Sequence, residues 1–289
     1  MKSLLRSLFF AASFFAAAQA WAQAAAVIDS VQLPAWVERA GKRSPLVPGM
    51  ELRAGDQVYT GAGSKLLIRL SEGSVVKLGE NGALRFAEIN RTQELYKAAL
   101  GVLQGAFRFT TQLIGAGRKR EIDIKVAQVT AGIRGTDLWG RGRKGNEVVC
   151  LIEGSIEVGA EGEAPVKLDQ PLQFYRRVDG NALPVGTIDQ NQLNQWAKET
   201  EIDEGRGAVR EGGKFSVLLA TADDQAGALA LYDQLRDAGY PAEILPRREA
   251  DQKIYYLLRI RHLPSRTAAQ ALANQLKGQF GITEPKIAG

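Results

Sequence analysis

The chain has 289 residues, with 37 Lys and Arg against 32 Asp and Glu and a formal net charge of +5. Both signs are spread along the sequence, which argues against the dense basic stripe of a nucleic-acid binder. One His and one Cys exclude a zinc cluster and leave no Ser-His-Asp or Cys-His system with supporting motif context. Carboxylates are plentiful, but no pair stands out for glycosidic chemistry.

The opening MKSLLRSLFFAASFFAAAQAWAQAAA places Lys2 and Arg6 before an apolar run from Leu8 to Ala18 and a series of small residues. This predicts a cleavable secretory signal peptide over 1–22. The run is shorter than the roughly 20 residues that a spanning helix needs. Small-x-small sites fall after Ala20, Ala22 and Ala24, and Ala20-Trp21-Ala22 is favoured, so that Gln23 starts the mature chain. Loss of Lys2 and Arg6 lowers the charge from +5 to +3. No later segment is long and apolar enough to span a membrane, so the expected location is the bacterial periplasm. The length that remains suits two ordinary domains.

Residues 34–180 read as short alternating runs broken by glycine turns. In KLLIRL, Leu66, Ile68 and Leu70 share one side, as do Val76 and Leu78 in SVVKLG. Turn signals at Gly61 to Ser64, Glu72-Gly73-Ser74 and Asn81-Gly82 recur about every eight to ten residues, which predicts an all-β sandwich, barrel or stacked-hairpin fold. Leu95 to Gln104 could be read as a short helix, although Gly101 and Gly105 interrupt it. Cys150, inside VVCLIEG, reads as a small buried hydrophobe.

Residues 181–212 are rich in Asn, Gln, Glu and Gly and are expected to be a linker. Within it, Ile188, Leu193, Trp196 and Ala197 are spaced for a short amphipathic helix, packed on the β-domain or docking a partner. Residues 213–289 run strand, helix, strand, strand, helix, strand. The first helix is ended by Gly239 and the second is capped by Ser265. That order predicts an α+β, ferredoxin-like sheet with both helices on one face and the other face open.

Two resemblances follow. WVERAGKRSPLVPGMELRAGDQVYTGAGSKLLIRLSEGSVVKLG, then FRFTT to VAQVTAGIRGTDLWG, then VVCLIEGSIEV, occur in an order that resembles the FecR domain family. The resemblance implies an all-β module. FecR-like domains occur in membrane-bound regulators of iron-complex uptake, and the membrane helix such signalling needs is not seen in this sequence, so direct sigma-factor control is not expected. Arg134, Thr136 and Asp137 of the IRGTD stretch are a candidate ligand-reading loop, or a structural turn.

FSVLLAT, ALYDQLRDAGYPAEI, YYLLRI and PSRTAAQALANQLK resemble SPOR domains, which implies binding to peptidoglycan glycan strands and a place at division sites. Leu218 stands where such domains usually carry Gln, and Arg261-His262-Leu263 where a Gly-Pro-Phe-like end is usual.

Alternation assigns Ser216, Leu218 and Ala220 to the open face in the first strand, and Tyr255, Leu257, Arg259 and Arg261 in the third. An aromatic plane and apolar surface would serve sugar rings, and guanidinium groups would serve ligand oxygens. The outward leucines could instead meet the first module or another protein. The expectation is a multidomain, non-enzymatic envelope protein, without metal or cofactor. Its partners would be peptidoglycan and an envelope protein rather than nucleic acid. The alternative is a periplasmic interaction scaffold or sensor, and a glycan hydrolase is a third reading.

Overall fold

The computed structural model describes residues 24–92, 95–111, 119–133, 135–249 and 252–289. The expected signal peptide and Arg134 lie outside them. The described chain is mostly β-sheet with few helices. Among the described residues no helix is long and apolar enough to cross a membrane.

The alternation in the sequence becomes a period-two burial pattern. Lys65–Leu70 turns Leu66, Ile68 and Leu70 into the core and pairs with Val75–Leu78, so that Leu66 faces Leu78 and Ile68 faces Val76. The turn between them needs a left-handed residue, supplied by Gly73 at φ +102°. Each large apolar side chain buried this way contributes about 1.5–3 kcal/mol.

The organising element is the 16-residue strand Leu95–Thr110. Its first half pairs in parallel with Lys119–Val126 and antiparallel with Ala83–Arg91. Its second half pairs antiparallel with Val75–Leu78 and Asp137–Arg143. The strand passes from one sheet to another at Gly105, φ +92°, where a Cβ would lie 2.6 Å from the Gly82 Cα. The helical reading of Leu95 to Gln104 is therefore corrected to strand. Tyr96, Ala98, Leu100 and Val102 are buried in alternation, and the neighbouring strands satisfy the backbone on both sides. Cys150 is buried, and burial pushes its thiol up to about 12.

The stretch 181–212, expected to be a linker, lies along the β-module. Gly186–Thr187 pairs with Gln173–Val178, and Ala208–Val209 pairs with the first strand, Ala26–Gln32. Between them α1, Gln190–Lys198, is capped by the Asp189 carboxylate, which accepts from Gln192 N–H.

The C-terminal module has strands Phe215–Ala222, Glu243–Arg248, Ile254–Leu263 and Lys286–Ala288, and helices α2, Gln225–Asp237, and α3, Arg266–Leu276. Across the sheet the strands run 243–248, 254–263, 215–222, 286–288, all antiparallel. Asp224 and Ser265 cap the helices through Gly227 N–H and Ala268 N–H. Ala228 and Leu235 of α2 and Ala268, Leu272 and Leu276 of α3 join Val217, Leu219, Leu258 and Ile260 in the core.

The two modules share one continuous core cluster. Contact runs through the helical side of the C-terminal module. Trp36 Nε1 donates to the Asp237 carbonyl at 2.9 Å, Ala35 N–H to Gly239 at 3.2 Å, and Gln275 Nε2 to Leu33 at 3.2 Å.

Candidate binding face

On the sheet face away from α2 and α3, cross-strand pairing sets the rows. Lys286 pairs with Leu218, Leu218 with Arg259, and Arg259 with Glu243. Thr221 pairs with Leu257, and Leu257 with Leu245. Tyr255 pairs with Arg247. Because directly paired residues share a face, these rows form one surface. It has an apolar strip of Leu218, Leu257 and Leu245 beside Tyr255, bordered by cations. Leu245 is 40% exposed. Lys253 Nζ sits 4.7 Å from the centroid of the Tyr255 ring.

The structure thus brings Leu218, Tyr255, Leu257, Arg259 and Arg261 onto one surface, with Leu218 and Leu257 opposite the side that contacts the β-module. Ser216 lies toward the edge, its Oγ 3.5 Å from the Ala288 carbonyl oxygen. Ala220 does not belong to the face. The register shifts between Leu218 and Ala220, so beyond this bulge Ala220 and Ala222 pack on the core and Thr221 is exposed.

Sequence reasoning also missed Glu243. Its Oε2 lies 3.5 Å from Arg259 Nε and 3.3 Å from Arg261 Nε, between the two guanidinium groups. The available signal was the alternation of EILPRR, which puts Glu243, Leu245 and Arg247 on one side. His262 is half-buried near the strand end, at φ +66°.

Residues 56–157 match the family model described as FecR protein, and residues 211–283 match the SPOR domain. The chain joins a FecR segment to a SPOR domain. Two crystal structures of a proposed anti-sigma factor from Parabacteroides distasonis, at 1.65 and 2.50 Å resolution, are each 15% identical to it. The matches cover 76% of this chain and 89% of theirs with a TM-score of 0.41. No curated protein matches the chain.

In the FecR segment the Thr136-Asp137 pair is engaged from within the module. Arg108 grips the Asp137 carboxylate through Nε at 3.0 Å and Nη2 at 2.7 Å, and Thr110 Oγ1 adds a donor at 3.2 Å. These bonds raise the Arg108 pKa further. Thr136 is buried, and its N–H donates to Thr111 Oγ1 at 2.6 Å. Arg108 Nη1 also lies 3.5 Å from Glu201, whose carboxylate accepts from Lys77 Nζ at 2.5 and 2.6 Å. Both residues thus make hydrogen bonds within the module, beside the end of the long strand.

Proposed function

We propose that this chain is a non-enzymatic, exported envelope protein. In this reading it binds peptidoglycan glycan strands through the open sheet face of its SPOR domain and presents the FecR segment to an envelope protein. The observation that carries the reading is that cross-strand pairing puts Leu218, Leu257, Tyr255 and Arg259 on the sheet face away from α2 and α3, with Arg261 at its border, while the helical side contacts Leu33 and Trp36 of the β-module. Apolar and aromatic surface matches the hydrophobic planes of pyranose rings, and the guanidinium groups supply donors for their oxygens.

The all-antiparallel strand order supports a ferredoxin-like βαββαβ description of the SPOR domain. The predicted signal peptide supports export to the periplasm, and the SPOR match supports a place in the cell wall, with division sites as the expected address. FecR and SPOR are binding and regulatory families, which supports a role without catalysis.

The test is co-sedimentation of the chain from Gln23 with purified sacculi, with and without amidase removal of stem peptides. Binding that strengthens on stripped sacculi and weakens in Tyr255→Ala or Arg259→Ala supports the proposal. A folded chain that stays in the supernatant on both would overturn it in favour of a protein-interaction scaffold.

A further inference from the structure

Helix α2 presents two apolar faces. Ala228 and Leu235 are buried against the sheet, whereas Leu229, Tyr232 and Arg236, three and four residues apart, share a second face of the helix. Leu229 is 42% exposed. This second face forms one wall of a cleft of about 510 Å³, which Val47 and Pro48 of the β-module also line. The cleft thus lies between the two modules, on the helical side of the SPOR domain and away from its open sheet face. Its walls are fixed relative to each other by the bonds that Asp237 and Gly239 accept from Trp36 and Ala35.

The charges in the cleft are not equally committed. Arg261 and Glu243, which also line it, are engaged with each other at 3.3 Å. Arg236 has no ion pair among the described residues, and its guanidinium lies 5.2 Å from the centroid of the Tyr232 ring. Stacking on a ring leaves the in-plane N–H donors of a guanidinium available to an anion. The size is that of a small-molecule site, for which roughly 300–1,000 Å³ of mostly apolar wall with a few polar groups is usual. A helix of two turns, about 10 Å across and about 11 Å long, already exceeds the cleft, which therefore suits a small molecule better than an element of another protein.

We propose that this inter-module cleft binds a small amphiphilic anion, an acid group on an aliphatic or aromatic body. The acid pairs with Arg236, and the body lies along Leu229, Tyr232, Val47 and Pro48. Because the two walls belong to different modules, a bound ligand braces the SPOR domain against the β-module. The site is separate from the sheet face and does not depend on the glycan reading.

The test is a titration of the untagged chain from Gln23 with decanoate, octanoate and decylammonium, each below its micellar concentration. His262 lines the cleft and is the only histidine, so its imidazole C–H signals report the site by NMR without overlap. Decanoate is expected to move these signals and to bind about tenfold more tightly than octanoate, since each of its two extra methylenes is worth roughly fourfold when fully buried. Decylammonium is expected to bind about tenfold or more weakly than decanoate, for want of the charge-assisted pair. Arg236→Met keeps the apolar stem and is expected to erase that preference, while Arg236→Lys keeps most of it. Leu229→Ser is expected to weaken decanoate about three- to tenfold. Both positions lie outside the buried core, so the variants should fold.

Equal binding of decanoate and decylammonium, or a preference that survives Arg236→Met, would overturn the anion site. Binding that leaves the His262 signals still and is indifferent to Leu229→Ser would put the ligand elsewhere and overturn the cleft. Absence of saturable decanoate binding would sink the proposal outright.

Discussion

The Trp196 indole lies on that of Trp139, ring centroids 4.4 Å apart and planes within 15°, and this stack fastens α1 to the FecR segment. Phe174 meets Trp196 edge-on at 6.5 Å, and Ala106 and Val148 complete a small cluster separate from the main core. No residue of α1 is fully buried, and beside the stack its last carbonyl, that of Lys198, accepts from Lys65 Nζ at 2.9 Å. Trp196→Ala should cost about 2 kcal/mol and expose the segment around α1 to proteases. Denaturant unfolding and limited proteolysis check this, and an unchanged midpoint with no new cleavage would show that α1 is held by other means.

Trp196 was legible in sequence as part of an amphipathic turn, but its partner was not, because Trp139 comes from a strand that only tertiary pairing brings near. The same divide runs through the rest of the molecule. Period-two alternation put Leu66, Ile68 and Leu70 on one side, and all three are buried, since the strand carries that signal locally. Leu95 to Gln104 was ambiguous because Leu, Ala and Lys favour helices, and only pairing on both sides decides for strand. The bulge that turns Ala220 inward is a register event invisible to alternation, and Glu243 enters the candidate face through a cross-strand partner.

Asp137 should be the most sensitive position of the IRGTD turn. Its carboxylate is mostly buried and takes two nitrogens of Arg108, so Asp137→Ala leaves a half-buried guanidinium with only the longer Glu201 contact. A loss of about 2–3 kcal/mol is expected, somewhat below the range for a fully buried pair. Arg108→Lys should also destabilise, since an ammonium cannot reproduce the two-pronged grip. A double-mutant cycle measured by urea unfolding checks the coupling, and additive losses would show that the pair does not act as a unit.

Asp203 gives a pH dependence. Lys65 Nζ at 2.7 Å and Gln32 Nε2 at 2.9 Å hold its carboxyl below the ordinary value, against an opposing contribution from burial. A depressed folded-state pKa means that the contact stabilises fully above the unfolded value of about 3.9 and loses its effect as pH falls through the lower folded value. Asp203→Asn should therefore lower Tm at pH 7, and the gap from wild type should close below about pH 4. A gap that stays constant across that range would show that the carboxylate charge is not what matters.

Gly239 sets how closely the SPOR domain sits on the β-module at Ala35 and Trp36. It follows α2 at φ +84°, its carbonyl accepts from Ala35 N–H, and a Cβ there would lie 2.6 Å from Trp36 Cε2. Gly239→Ala carries two costs: about 1 kcal/mol for an alanine in the left-handed region, and a further ~2 kcal/mol for the clash with the Trp36 indole and, at 3.0 Å, the Pro34 Cβ. The indole's share separates in a Trp36→Ala background, where the backbone part and the 3.0 Å approach to the Pro34 Cβ remain. Unfolding free energies should then show Gly239→Ala costing about 3 kcal/mol in the wild type and about 1–2 kcal/mol beside Trp36→Ala. Equal costs in both backgrounds would mean that the indole yields freely and that the glycine is required by the helix end alone.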